Sequence, residues 1–131
     1  MTEKTYHGSC VCGACRFEAQ MDLSQGTTRC NCTACRKRRT WAITVPRDAL
    51  TVTQGETIGY QKAVVDYRFC PTCGTTLYGL ADIPEMGGST ATIAIATLDD
   101  ATPEELIAAP VNWVDGLHDD WWSTPDEVRH L

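Results

Sequence analysis

Long apolar runs are missing from this chain. The longest, residues 92–98, falls far short of the ~20 apolar residues a membrane-spanning helix needs. No N-terminal stretch joins a basic start to an apolar run, so a secretory leader is not expected. Positive charge is also in deficit, with 11 Lys and Arg against 17 Asp and Glu and a net charge of −6. That balance argues against a nucleic-acid partner, which would need a broad basic face. Low-complexity and disordered tracts are absent, and no composition shift marks a boundary. Residues 1–131 therefore read as a single domain, large enough for a modest core. No membrane partner is expected, and the location expected is cytoplasmic. Histidine is scarce. His7, His118 and His130 are candidate ligands or bases by residue type alone, and each reads better as a surface or satisfied side chain.

Cysteine is what the chain has. Eight occur, in groups of three, three and two. The pattern Cys-x-Cys-x-x-Cys appears twice, as Cys10, Cys12, Cys15 and as Cys30, Cys32, Cys35, with Arg16 or Arg36 following. Cys70 and Cys73 form a Cys-Pro-Thr-Cys-Gly knuckle. A Cys-x-x-Cys turn aims two sulfurs at one point, as tetrahedral zinc requires. Disulfides are uncommon in a reducing compartment, and a Cys-x-Cys pair reaches disulfide geometry poorly. An iron–sulfur cluster satisfies the ligand type, but the knuckle fits tetrahedral closure and favours zinc. One closed four-thiolate site leaves four cysteines. The second site then either closes, through Cys15 or a histidine, or keeps an open position. A closed site is structural; an open one can do chemistry.

Strand signals dominate the rest. Cys15, Phe17 and Ala19 alternate with Arg16, Glu18 and Gln20, the period of a half-buried strand. Further strands are expected over residues 41–45, 51–53, 75–80 and 90–98, with two more within 58–69 broken near Lys62 or Ala63. Residues 81–89 read as a loop, because Pro84 and Gly87-Gly88 interrupt them. Thr102-Pro103-Glu104-Glu105 starts one short helix with a capping box, and Pro110 limits its length. Residues 111–114 could add a last strand before a polar tail. In that tail the Trp121-Trp122 pair either caps a cleft or buries itself in a homodimer interface. Trp41 and Trp113 read as core.

An ordered set of segments resembles the glutathione-dependent formaldehyde-activating enzyme family, which is shared with centromere protein V. The segments are Gly8-Ser9-Cys10-Val11-Cys12-Gly13, Cys30-Asn31-Cys32-Thr33-Ala34-Cys35-Arg36-Lys37, Val45-Pro46-Arg47-Asp48-Ala49, Phe69-Cys70-Pro71-Thr72-Cys73-Gly74-Thr75 and Leu98-Asp99-Asp100. The resemblance implies a mainly β zinc fold of the β-tent type, with small antiparallel sheets, a zinc knuckle and one short helix. It implies two zinc ions per chain. Cys10, Cys12, Cys70 and Cys73 would hold a structural zinc; Cys30, Cys32 and Cys35 would hold a second with an exchangeable fourth position. The implied activity is that of a carbon–sulfur lyase, joining a glutathione-like thiol to an aldehyde such as formaldehyde. Two departures stand out. Cys15 occupies a position that is usually aliphatic, and no histidine stands near Val111-Asn112-Trp113-Val114, where the family often has one.

The chemistry expected of the second site follows from thiol ionisation. A free thiol, with a pKa of about 8.5, is mostly protonated at neutral pH, and zinc coordination deprotonates it. Cys30, Cys32 and Cys35 are thus the expected catalytic set. Arg36 and Lys37, from the run Arg36-Lys37-Arg38-Arg39, are expected to anchor the carboxylates of the thiol substrate. Cys15 reads first as a small core hydrophobe, then as a fourth ligand or a redox thiol. The rival readings are a non-catalytic zinc-binding interaction module and a thiol redox or metal sensor.

Overall fold

The computed structural model describes residues 3–131. It is mainly β, as expected. Strands β1 (Lys4–Ser9), β2 (Arg16–Met21) and β5 (Leu50–Gln54) form an antiparallel sheet in the order β1-β2-β5. The second sheet is larger, in the order β10-β3-β4-β9-β8-β7-β6. Its strands are β3 (Thr27–Cys30), β4 (Ala42–Pro46), β6 (Ile58–Lys62), β7 (Val65–Phe69), β8 (Thr76–Ile83), β9 (Gly88–Ala94) and β10 (Val111–Val114). Every pairing in it is antiparallel except β10 with β3.

The alternation in β2 is borne out: Phe17, Ala19 and Met21 are buried and Arg16 and Gln20 exposed. Phe17 meets Tyr78 of β8 edge-on, with ring centroids 5.7 Å apart, where the two sheets close on each other. Around that contact lie Tyr6, Met21, Leu23, Leu77, Ile93 and Ile95, all essentially inaccessible. Cys10, Cys15 and Cys70 belong to the same core. Side chains alternate across a strand, and Tyr78 pairs with Ile93 and Arg68. That row faces the core side. The next row, Thr44, Thr92, Gly79, Tyr67 and Tyr60, lies on the opposite face.

Three boundaries differ from expectation. The loop over 81–89 shrinks to a turn after Ile83, because Ala81–Ile83 pair with Gly88–Thr90 across the hairpin. Gly87 takes φ 92°, which lets the chain reverse there. The strand over 90–98 ends at Ala94, and Ile95–Thr97 form a 3-10 turn. A second helix, α1 (Thr33–Arg38), joins the anticipated α2 (Pro103–Ala108). The capping box of α2 forms as read, with the Thr102 side chain accepting from Glu105 N–H and the Glu105 carboxylate accepting from Thr102 N–H.

The Leu98-Asp99-Asp100 segment fastens β1. Asp99 accepts the Ser9 hydroxyl at 2.7 Å, and Asp100 accepts both the His7 backbone N–H at 2.9 Å and its ring Nδ1 at 2.7 Å. Asp100 thereby raises the His7 pKa above 6.5. A raised histidine pKa means that this tie contributes stability below the unfolded value and loses it as pH rises through the folded one. Asp100→Asn is expected to bring the His7 imidazole back toward 6.5 in an NMR titration. An unmoved midpoint would remove Asp100 as the cause.

Gly8 has a packing reason. A β carbon there would run into the Phe17 ring. Gly8→Ala must displace that ring, and overpacking of this kind costs about 1–3 kcal/mol. A lowered thermal midpoint is the expected result.

Candidate metal centres

The first cluster brings together Cys10, Cys12, Cys70 and Cys73, whose sulfurs all lie within 4.8 Å of one another. The Cys10–Cys12 and Cys12–Cys70 sulfur separations are 3.6 and 3.8 Å. Tetrahedral zinc with bonds of about 2.3 Å places its sulfurs about 3.8 Å apart, so the set fits that ion without rearrangement. Two matching turns build it. Gly13 follows Cys12 and Gly74 follows Cys73, and both take φ 79°, a conformation that favours glycine. Backbone N–H groups point at the sulfurs: Cys15 N–H donates to Cys10 Sγ at 3.3 Å, and Thr72 N–H to Cys70 Sγ at 3.4 Å. Thr75 couples the turns. Its hydroxyl oxygen accepts Val11 N–H at 3.2 Å and stands 3.1 Å from Cys73 Sγ. That hydroxyl, followed by backbone donors, lowers the Cys73 pKa to about 5.

Cys15 packs beside this first cluster, not the second. It is buried, and its Sγ lies 3.7 Å from the Glu56 carbonyl. Burial first, then Cys70, pushes its thiol up to about 11. The core reading of Cys15 fits, whereas closure of the second set by Cys15 does not.

The second cluster is Cys30, Cys32 and Cys35, again with sulfurs within 4.8 Å. Among the described residues, no fourth Cys, His, Asp or Glu joins that group. Cys30 ends β3, Cys32 is the N-cap of α1, and Cys35 lies one turn along it. Cys32 N–H donates to Cys30 Sγ at 3.3 Å, and Cys35 N–H to Cys32 Sγ at 3.4 Å. Thiol hydrogen bonds from Cys30, then Cys35, hold Cys32 well below the ordinary thiol range. Cys35 is pushed up by the same sharing.

The residues around this cluster were mostly invisible in the sequence. Asn31, buried between two of the cysteines, donates to Asp115 at 2.8 Å and accepts Leu117 N–H at 2.9 Å. Asp115 in turn holds His118 Nδ1 at 2.8 Å. These bonds fold the tail back onto the cluster, which the distance in sequence hides. Gly116 has no room for a side chain, since a β carbon would sit 2.7 Å from Cys30 Sγ and 2.6 Å from the Trp121 ring. Trp121 thus stands beside the cluster, while Trp122 is 88% exposed.

The basic run divides its work. Arg36 lines a small niche with Arg29, Cys30, Cys35, Arg39, Thr40 and Leu131. Burial, then the neighbouring Arg39, lowers the Arg29 pKa. Lys37 is exposed and does not line that niche. Arg38 points elsewhere: it donates to Thr76 Oγ1 at 2.7 Å, and its guanidinium lies 4.6 Å from the Tyr67 ring and 5.8 Å from the Tyr60 ring.

Two sulfur clusters that can each hold a metal, on a mainly β frame, are what the residues assemble. The sequence profile described as glutathione-dependent formaldehyde-activating enzyme matches residues 5–115. The chain belongs to that family. Among solved structures, it is similar to a Rhodobacter sphaeroides protein of known crystal structure. The two are 26% identical, with a TM-score of 0.67 over 81% of this chain and 99% of the other. No helix among the described residues is long and apolar enough to cross a membrane.

Gly116→Ala is expected to weaken metal retention at Cys30, Cys32 and Cys35 by about tenfold, by displacing Cys30 or its support. Cadmium-113 NMR during chelator competition reads each cluster separately. Equal loss from both clusters, or from neither, would contradict this.

Proposed function

We propose that this family member is a zinc-dependent carbon–sulfur lyase-like protein. It presents a glutathione-like thiol at Cys30, Cys32 and Cys35 for addition to an aldehyde such as formaldehyde. The observation that carries the reading is the three-sulfur set, with no fourth Cys, His, Asp or Glu in its group among the described residues, beside an arginine-lined niche. Cys10, Cys12, Cys70 and Cys73 hold a structural zinc, giving two per chain. The whole chain acts as one domain in a reducing compartment, the cytoplasm, where thiols stay free for metal.

Zinc bound at the second set supplies an ionised thiolate at neutral pH. The protein's own residues do the rest. Arg36, with Arg29 and Arg39, offers guanidinium donors to a substrate carboxylate, and Lys37 adds charge from the exposed side of α1. The backbone N–H bonds to Cys30 and Cys32 fix those sulfurs. In the addition a carbon–sulfur bond forms, the carbonyl π pair moves to oxygen, and that oxygen takes a proton from solvent. The rival module, with both metals structural, lacks a fourth Cys, His, Asp or Glu in the second group among the described residues. The sensor reading loses its resolving thiol, because Cys15 lies with the first cluster.

Two variants test the division of labour. Cys70→Ser removes a fully buried ligand that links the knuckle to the N-terminal hairpin, so folded yield should collapse. Cys32→Ser should leave a folded chain with one zinc and no thiol addition above the spontaneous rate. Native mass spectrometry with metal analysis reads zinc count and retained thiol together. Equal folded yield for the two variants would refute the assignment.

Glutathione with its thiol free should perturb cobalt substituted at the second set, seen in the thiolate charge-transfer band, whereas S-methylglutathione should not. Arg36→Ala with Lys37→Ala should weaken glutathione more than a neutral thiol, and added salt should mimic that loss. An unchanged band at millimolar glutathione would leave the interaction module as the better reading.

A further inference from the structure

We propose that the groove between the two sheets binds a small apolar α-amino acid in its zwitterionic form, on Arg47, Glu56 and Tyr78. The inference goes beyond the thiol-addition reading and does not depend on it.

The groove is open to solvent and measures about 390 Å³. Its floor is the row of the long sheet that faces the core side, where Tyr78 and Leu80 of β8 pair with Arg68 and Asp66 of β7. Val52 of β5 and the segment from Gly55 to Thr57 form the other wall. The helix α1 reaches the opposite row, since Arg38 lies against Tyr67 and Tyr60. The wall is fixed before any ligand arrives. Gln54 Nε2 donates to the Gly13 and Ala14 carbonyls at 3.2 Å each, and Cys15 Sγ to the Glu56 carbonyl at 3.7 Å. Gly55 takes φ 79° so close to Ala14 that a β carbon would stand 2.3 Å from its carbonyl oxygen. Arg68 holds the far end, with Nε on Thr57 Oγ1 at 3.0 Å and Nη2 on the Thr57 carbonyl at 2.7 Å.

What remains for a ligand depends on which charges are already paired. Two arginines and two carboxylates line the groove. Arg68 and Asp66 pair with each other at 3.1 Å. Arg47 donates Nη1 to the Leu50 carbonyl at 3.0 Å but, among the described residues, forms no ion pair. The exposed Glu56 carboxylate forms none either, so the two stand beyond ion-pair range of each other. One cation and one anion thus line the same groove without meeting. Tyr78 supplies a third polar group. It is only 5% exposed, yet no protein group holds its hydroxyl. No wholly buried side-chain oxygen among the described residues lacks a partner, so that hydroxyl opens onto the groove that Tyr78 lines.

A bare carboxylate would suit Arg47 and be repelled by Glu56, and a bare amine the reverse. An uncharged ligand would cover both charges without an ionic partner for either. A zwitterion satisfies both. Its carboxylate takes the free Arg47 donors and the Tyr78 hydroxyl, and its ammonium takes Glu56. An apolar side chain then covers Leu80 and Val52, which is 42% exposed.

The test is a methyl and amide NMR titration of the zinc-loaded full chain with L-leucine. Shifts at Val52, Leu80, Glu56 and Thr57 should saturate in the millimolar range. N-acetylleucine, which lacks the ammonium, and leucinamide, which lacks the carboxylate, should each bind at least about fivefold more weakly. Glycine, without the apolar side chain, should also bind at least about fivefold more weakly. Glu56→Gln should erase the preference over N-acetylleucine, and Arg47→Gln the preference over leucinamide. Because Glu56 is exposed, its variant tests the ammonium contact without disturbing the core. No groove shift at tens of millimolar leucine overturns the inference. So does N-acetylleucine or leucinamide binding within twofold of leucine. Cobalt at Cys30, Cys32 and Cys35 should ignore leucine. A leucine-dependent cobalt band would place the ligand at the second cluster and also overturn the inference, whereas failure of glutathione to move that band leaves the groove unaffected.

Discussion

Four sulfurs drawn from two distant turns must stand within 4.8 Å of one another, and most of the fold follows from that convergence. Cys10 and Cys12 come from the turn between β1 and β2; Cys70 and Cys73 come from the turn between β7 and β8. Bringing them together sets the three-stranded sheet against the long one. The Phe17–Tyr78 contact sits where that closure places it. Cys10 and Cys70 are buried in the same core as Tyr6, Leu77 and Ile93. A metal on these ligands would add its binding free energy directly to folding. Backbone donors already aimed at Cys10 and Cys70 reduce what the chain must rearrange to hold it.

The second cluster is built on a different principle. Its three sulfurs come from one short stretch, β3 into α1, so local backbone geometry alone assembles it. What is distant is its surround. Asn31 reaches Asp115 and Leu117, and Gly116 and Trp121 pack toward Cys30. A cluster closed by local ligands but walled by remote segments can leave one side free for a small molecule. The first cluster, with ligands from both directions and Cys70 fully buried, has less freedom of that kind.

These origins explain what the sequence revealed. The Cys30, Cys32, Cys35 group and the knuckle were legible because metal-ligand spacing is a local property, whereas the joining of Cys10 and Cys12 to Cys70 and Cys73 was implied by the family resemblance. Thr102 and Glu105 were legible as a capping box for the same reason. α1 was missed because a cysteine serves as its N-cap and its few residues carry no apolar periodicity. The hairpin from β8 to β9 was cut short because Pro84 and Gly87-Gly88 look like a long loop until cross-strand pairing is known. Asp115 and Gly116 gain meaning only through their nearness to Asn31 and Cys30, far back along the chain. No spacing rule could have joined them to that cluster.

The basic run shows how position overrides composition. Four adjacent cations in an acidic chain read as one patch, yet the fold sends them to different partners. Arg36 and Arg39 join Arg29 around a niche at Cys30 and Cys35, while Lys37 remains exposed. Arg38 turns the other way, onto Tyr67, Tyr60 and Thr76. Arg39 also donates to the His130 carbonyl at 3.2 Å, from a left-handed conformation with φ 54° that ends α1. A thiolate cluster accumulates negative charge as its ligands ionise, and nearby guanidinium groups offset it without competing for metal. The net charge of −6 is therefore a poor guide to the field at the second cluster. Three arginines line one niche beside Cys30 and Cys35, so positive charge is concentrated there despite an acidic protein behind it.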